Sequence, residues 1–196
     1  MSWIVRQRER AHTMQALEEV ADWNQEAGAP QMSAQMLPDG TVTILEELYG
    51  ELPFFRKWST DRAELTIALM LQENPHPNVV NIYQVTDEFY DMELVDPDFE
   101  LPINEWGEQM QEAKNHLQQL GIIYIDWKQD NTGISLIDGN VKLFDFDSSG
   151  TTAAPMASYL WFQEPFEGFR YRDAVAAGME TPFEIDDYAF LEALKE

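Results

Sequence analysis

Between Gly121 and Gly150 the chain reads GIIYIDWKQDNTGISLIDGNVKLFDFDSSG, and no other stretch limits the fold as much. Asp126, Lys128 and Asn131 fall in one short polar loop behind an apolar segment. Ile134, Leu136, Val141 and Leu143 flank Asp138-Gly139, a hairpin signal because Asp-Gly tolerates the positive φ of tight turns. Asp145 follows the second strand of that hairpin, next to Phe146. A loop, a hairpin and a strand end in this order can return two carboxylates, an amide and an ammonium to one point. Phosphoryl transfer needs such a set. Mg²⁺ takes hard oxygens from Asp and Asn, a carboxylate orients an attacking hydroxyl, and a lysine offsets charge on the moving group.

The rest of the chain supplies a frame for that stretch. Trp3, Ile4, Met14, Leu17, Val20 and Ala21 recur at helical spacing, and Gly28 to Pro30 ends the pattern. Three β-prone runs follow: Gln31 to Leu37, Thr41 to Leu45 and Leu52 to Trp58, the first closed by the turn Pro38-Asp39-Gly40. Ser59-Thr60-Asp61 starts a helix in which Asp61 and Glu64 have capping-box spacing, and Pro75 stops it. Val79 to Val85 and Glu88 to Val95 read as strands, and Asp96 to Pro102 as a linker. A second helix carries Trp106, Met110, Ala113, Leu117 and Leu120 on one face and ends at Gly121. From Ser148 the chain reads as irregular until a helical stretch from Ile185 to Leu194. A mostly antiparallel sheet with one helix, a linker, then helices with a hairpin is an α+β pattern with a cleft at the linker.

Charge narrows the partners. Acidic residues number 36 against 12 basic, a net charge of −24 over 196 residues. Such a surface repels nucleic-acid backbones and anionic lipid, so neither nucleic acid nor membrane is expected as a partner. A basic protein, or a divalent cation, fits better. Hydrophobic residues make up 44%, enough to build a core. The absence of cysteine excludes disulfides, thiolate metal sites and cysteine nucleophiles. With no apolar leader and no membrane-length apolar run, a cytoplasmic protein is expected.

The ordered motifs resemble the catalytic core of protein kinases. Asp126, Lys128 and Asn131 within Tyr124-Ile125-Asp126-Trp127-Lys128-Gln129-Asp130-Asn131 match the H-R-D-x-K-x-x-N loop, and Asp145-Phe146-Asp147 matches D-F-G at its first two positions. Phe54-Phe55-Arg56-Lys57 is similar to the strand that carries the ATP lysine, with Glu64 as its partner on the following helix or as a capping residue there. His76-Pro77-Asn78 resembles the turn after that helix. Met92-Glu93-Leu94-Val95 resembles the hinge, whose backbone holds adenine. Asp186-Asp187-Tyr188-Ala189-Phe190 resembles the start of the αF helix. The resemblance implies a two-lobed protein-kinase-like fold with a reduced N-lobe sheet and a C-lobe truncated near αF. It divides the chain into a helix at 1–29, an N-lobe-like part at 30–95 and a C-lobe-like part at 96–196. It implies ATP and Mg²⁺ (or Mn²⁺). Asp126 and Lys128 are then catalytic, Asn131 and Asp145 hold metal, and Lys57, Glu64, Met92, Glu93 and Val95 line the nucleotide site. Trp127 and Phe146 are expected as core.

The pattern also departs from the family. No Gly-rich phosphate loop is present, only the turn at Asp39-Gly40. Tyr124 and Ile125 stand where the loop has His and Arg, so no clamp for a phosphorylated activation loop is expected. Asp147 replaces the D-F-G glycine. The complete catalytic set favours a minimal kinase acting on a protein Ser or Thr hydroxyl. The missing loop favours a pseudokinase that regulates a protein partner by binding, and a reduced docking surface favours a small-molecule kinase. The economy of the chain resembles the reduced kinases of large DNA viruses, which would place it in host cytoplasm.

Overall fold

The computed structural model describes residues 33–36, 42–45, 54–59, 61–99, 101–152 and 169–195. The helix expected at 1–29 and the turn at Asp39-Gly40 lie outside them. Strands β1 (Ser33–Met36), β2 (Val42–Leu45) and β3 (Phe54–Trp58) fall within the three β-prone runs. They join β4 (Ile82–Val85) and β5 (Phe89–Glu93) in a five-stranded sheet ordered β2-β1-β3-β5-β4. All its pairings are antiparallel except β1 with β3, which run parallel.

Helix α1 (Arg62–Glu73) begins where the sequence places it, but the cap works differently. Asp61 accepts a hydrogen bond from the Ala63 amide at 2.8 Å, which satisfies one orphan donor of the first turn. Glu64 does not reach back to close a capping box; it is buried and engaged elsewhere. The Asn74 amide accepts the job of closing the helix by donating to Met70 O and Leu71 O, just before Pro75. The face of α1 formed by Ile67, Ala68 and Leu71 is buried with Phe55, Tyr90 and Met92 of the sheet.

The second group starts with β6 (Val95–Asp96), which straddles the end of the expected strand and the start of the expected linker. Helix α2 (Ile103–Gln119) buries Trp106, Met110, Ala113 and Leu117, the predicted apolar face. It closes on Gly121 at φ 75, where a side chain would be strained. Strands β7 (Ile122–Ile123) and β10 (Gly150–Thr151) pair antiparallel, while β8 (Thr132–Ser135) and β9 (Val141–Leu143) form the hairpin beside β6. Gly139 takes φ 73 in its turn. Helices α3 (Phe169–Ala176) and α4 (Pro182–Ala193) follow. Strand β10 and helix α3 correct the expectation of an irregular tail after Ser148. A two-residue strand and an eight-residue helix leave too short a periodic run to read without their partners. The result is a mixed α/β arrangement whose buried apolar residues form one cluster from Phe55 to Ala193. No described helix is long and apolar enough to cross a membrane.

Backbone contact between β8 and β6 gives a test of this packing. A Cβ on Gly133 would lie 2.6 Å from Val95 Cγ2 and 2.8 Å from the Asp96 carbonyl oxygen. The carbonyl cannot swing aside without opening the strand pair. Gly133→Ala is expected to cost about 1–3 kcal/mol, read as a lower urea midpoint with unchanged slope.

Candidate functional site

The loop from Tyr124 to Asn131 is held from below by α4. Asp186, fully buried, accepts through Oδ1 from the Tyr124 amide at 3.2 Å, the Ile125 amide at 2.9 Å and the Trp127 indole at 2.7 Å. Its Oδ2 accepts from Gln118 of α2 at 3.1 Å. Burial pushes the Asp186 carboxyl upward, and these donors pull it back. Trp127 and Phe146 both pack as core aromatics, each against Tyr124. Pinned there, Ile125 sits at φ 61, a conformation a β-branched residue avoids unless its surroundings impose it.

The next residue is Asp126. Its Oδ2 accepts from Asn131 Nδ2 at 2.9 Å and from Lys128 Nζ in a short contact. Asn131 Nδ2 also donates to the Asp126 carbonyl at 2.9 Å. The Asn131 carbonyl accepts from the Phe144 amide at 2.9 Å, and Tyr124 Oη donates to the Phe144 carbonyl at 2.5 Å. The chain just before Asp145 is thus bonded to the loop on both sides. Asp145 itself takes φ 63, a second non-glycine residue in the left-handed region. Such strain gathers where the surroundings fix a side chain's direction.

Asp145 points at the five-stranded sheet. Lys57 Nζ of β3 lies 2.8 Å from Asp145 Oδ1 and 2.6 Å from Glu64 Oε1. Burial would lower the ammonium, but Asp145, Tyr90 and Glu64 together outweigh it and hold Lys57 well above its usual range. Lys57 is therefore charged at any working pH. The predicted residues Lys57, Glu64, Asp145, Asn131, Asp126 and Lys128 form one connected set, although they come from α1, two strands' ends and a loop.

Met92, Glu93 and Val95 lie where β5 passes into β6. Met92 and Val95 are buried. The Glu93 carboxylate faces away from Lys57: it accepts from Asn81 Nδ2 at 2.7 Å, makes a short contact with Ser135 Oγ and lies 3.6 Å from Lys142 Nζ. The Glu93 backbone amide donates to the Asn81 carbonyl at 2.8 Å. A separate shallow groove lined by Ile103, Glu108, Phe190 and Leu194 contains none of these residues.

Asp147 is exposed in total surface, yet the surroundings of its carboxyl push it up to about 6. Loss of water is the main cause and the Asp145 carboxylate the next, with Lys57 and Ser148 pulling the other way. Among the described residues, no three His, Cys, Asp or Glu side chains converge as a ready metal site. The hard oxygens of Asp145 and Asn131 suit Mg²⁺, which keeps several waters and commonly shares its shell with phosphates.

No family model matches the chain, and no curated protein is similar to it. Solved structures do overlap with it in part. One, of the Rad53 kinase domain and SCD2, is 24% identical with a TM-score of 0.43, covering 58% of this chain and 48% of that one. Another, of the yeast RNA Pol II CTD kinase CTDK-1 complex, is 20% identical with a TM-score of 0.38, covering 50% and 40%. The chain thus spans less than half the length of either.

The Asp145–Asp147 neighbourhood has a pH signature. The Asp147 carboxyl rises from 3.8 to about 6 on folding, so between those values the folded state holds a proton the unfolded state has lost. Stability from this group is present below pH 4 and falls as pH rises through 6. Denaturant titrations in chelator at pH 5 and pH 7.5 are expected to show a smaller loss across that interval in Asp147→Asn than in the wild type.

Proposed function

We propose that this chain is a minimal kinase-like phosphotransferase that binds ATP with Mg²⁺ or Mn²⁺ and phosphorylates a Ser or Thr hydroxyl of a protein. The observation that carries the reading is the Lys57 ammonium held between Glu64 and Asp145, with Asp145 bonded through its neighbour to the loop of Asp126 and Asn131. It is this joining of separated residues, and not any single one, that supports a two-lobed kinase-like arrangement divided near residue 95.

In this reading Lys57 meets the α- and β-phosphates, and Glu64 keeps it extended. Met92, Glu93 and Val95 line the adenine site. Asn131 and Asp145 hold the cation, which when bound shields charge on the phosphates. Asp126 orients the substrate hydroxyl and takes its proton as the oxygen attacks the γ-phosphorus. The bond from that phosphorus to the bridging oxygen breaks, and ADP leaves. Lys128, already against Asp126, offsets charge on the transferring group. The acidic surface suits a basic protein substrate.

A second reading keeps nucleotide binding but drops turnover, as in a regulator that works by binding a partner. The absence of a Gly-rich loop from the sequence favours it, since fewer backbone amides would cover the phosphates.

Two measurements decide. ATP is expected to stabilise the protein against heat only with divalent metal, by roughly 2.7 kcal/mol at a hundredfold excess over Kd. No metal-dependent shift at millimolar nucleotide would remove the ATP site. With γ-labelled ATP and a basic protein substrate, Asp126→Asn is expected to lower transfer by orders of magnitude while leaving nucleotide affinity nearly unchanged. Asp145→Asn is expected to weaken metal-dependent nucleotide binding itself. Wild-type protein that binds Mg·ATP and transfers to nothing, itself included, supports the regulator.

A further inference from the structure

The side chain opposite Lys57 on the neighbouring strand is Tyr90, in register across β3 and β5. Residues paired this way stand on the same face of a sheet with adjacent Cβ atoms. Tyr90 is fully buried, and its hydroxyl donates to Glu64 Oε1 at 2.9 Å. That is the same oxygen that lies 2.6 Å from Lys57 Nζ. One carboxylate oxygen therefore takes a phenol and an ammonium together.

The two donors differ in what they can do. A tyrosine has only two rotatable side-chain bonds, and this one is enclosed in the core between strand and helix. A lysine has a flexible four-carbon stem and a second carboxylate, Asp145, within reach at 2.8 Å. The rigid donor fixes the oxygen, and the flexible one goes to where the oxygen is. Burial, with Glu64 and Asp145 acting in the same sense, raises the phenol far above its usual range against the pull of Lys57. The hydroxyl remains a donor throughout the working pH range.

We propose that Tyr90 is a positioning residue for phosphate binding: its hydroxyl fixes Glu64, and through Glu64 it sets the direction in which Lys57 faces a nucleotide's phosphates. The inference rests on the reading of Lys57 as the phosphate-binding lysine. A phenylalanine would fill the same space, so what the hydroxyl adds is its bond to Glu64. The sequence offered no sign of this, since a tyrosine in a β-prone run reads as core.

The test compares a ligand that has phosphates with one that lacks them. Dissociation constants for Mg·ATP and for adenosine are measured by calorimetry on the full chain, wild type and Tyr90→Phe. Loss of one hydrogen bond to a charged group is expected to weaken ATP about tenfold, with adenosine changed less than twofold. Glu64→Gln, which keeps the size of the side chain and removes its charge, is expected to show the same ATP-selective loss. In a Lys57→Met background Tyr90→Phe is expected to have no further effect, because it acts through the lysine. Equal weakening of ATP and adenosine, or an undiminished ATP preference in Tyr90→Phe, overturns the role of Tyr90 alone. Wild-type protein with no preference for ATP over adenosine overturns the phosphate-binding role of Lys57 and this inference with it.

Discussion

The buried carboxylate of Asp186 gathers the Tyr124 and Ile125 amides and the Trp127 indole on one oxygen. A charge withdrawn from water costs several kcal/mol unless donors replace the water. The four donors on this side chain, with Gln118 on its second oxygen, are those replacements. The arrangement therefore works only with all of them in place, and the loop has no freedom to relax. Ile125 at φ 61 is the visible consequence. With its neighbour so constrained, Asp126 projects from a fixed backbone, and Asn131 and Lys128 converge on its carboxylate.

From that anchored loop the order passes to the sheet. Phe144 is bonded to Asn131 through its amide and to Tyr124 through its carbonyl, so Asp145 begins from a fixed point. Lys57 links it to Glu64, and Tyr90 links Glu64 to β5. The chain of contacts thus runs from α4 through the loop and across to α1 and the sheet. Each contact is short and mostly shielded from water, where charge-assisted hydrogen bonds are stronger than at the surface.

The large acidic excess makes the placement of cations informative. Several of the 12 basic residues are largely shielded from water and committed to ion pairs: Arg56 to Asp91 at 2.6 Å, Lys142 to Asp138 at 2.9 Å, Lys114 to Asp187, and Lys57 to its two carboxylates. Each of these cations is matched by at least one carboxylate, so the acidic excess stays with the remaining side chains.

The sequence by itself determined the local and ordered features. The spacing of Asp126, Lys128, Asn131 and Asp145, the Asp138-Gly139 turn, the apolar face of α2 and its stop at Gly121 all follow from short-range preferences. So does the start of α1, but Asp61 and Glu64 fit a capping box equally well on paper. Tertiary structure decided between the two roles of Glu64, because Lys57 and Tyr90 meet it only after β3 and β5 have paired. It also decided that Asp186 would hold the loop, that the Glu93 carboxylate would turn to Asn81 and Ser135, and that His76 would stack on His116 with centroids 4.7 Å apart. The pairing of β10 with β7 belongs to the same class. Periodicity reports which face of an element is apolar. The identity of a buried polar group's partner depends instead on which distant donors the packed chain brings within about 3 Å of it.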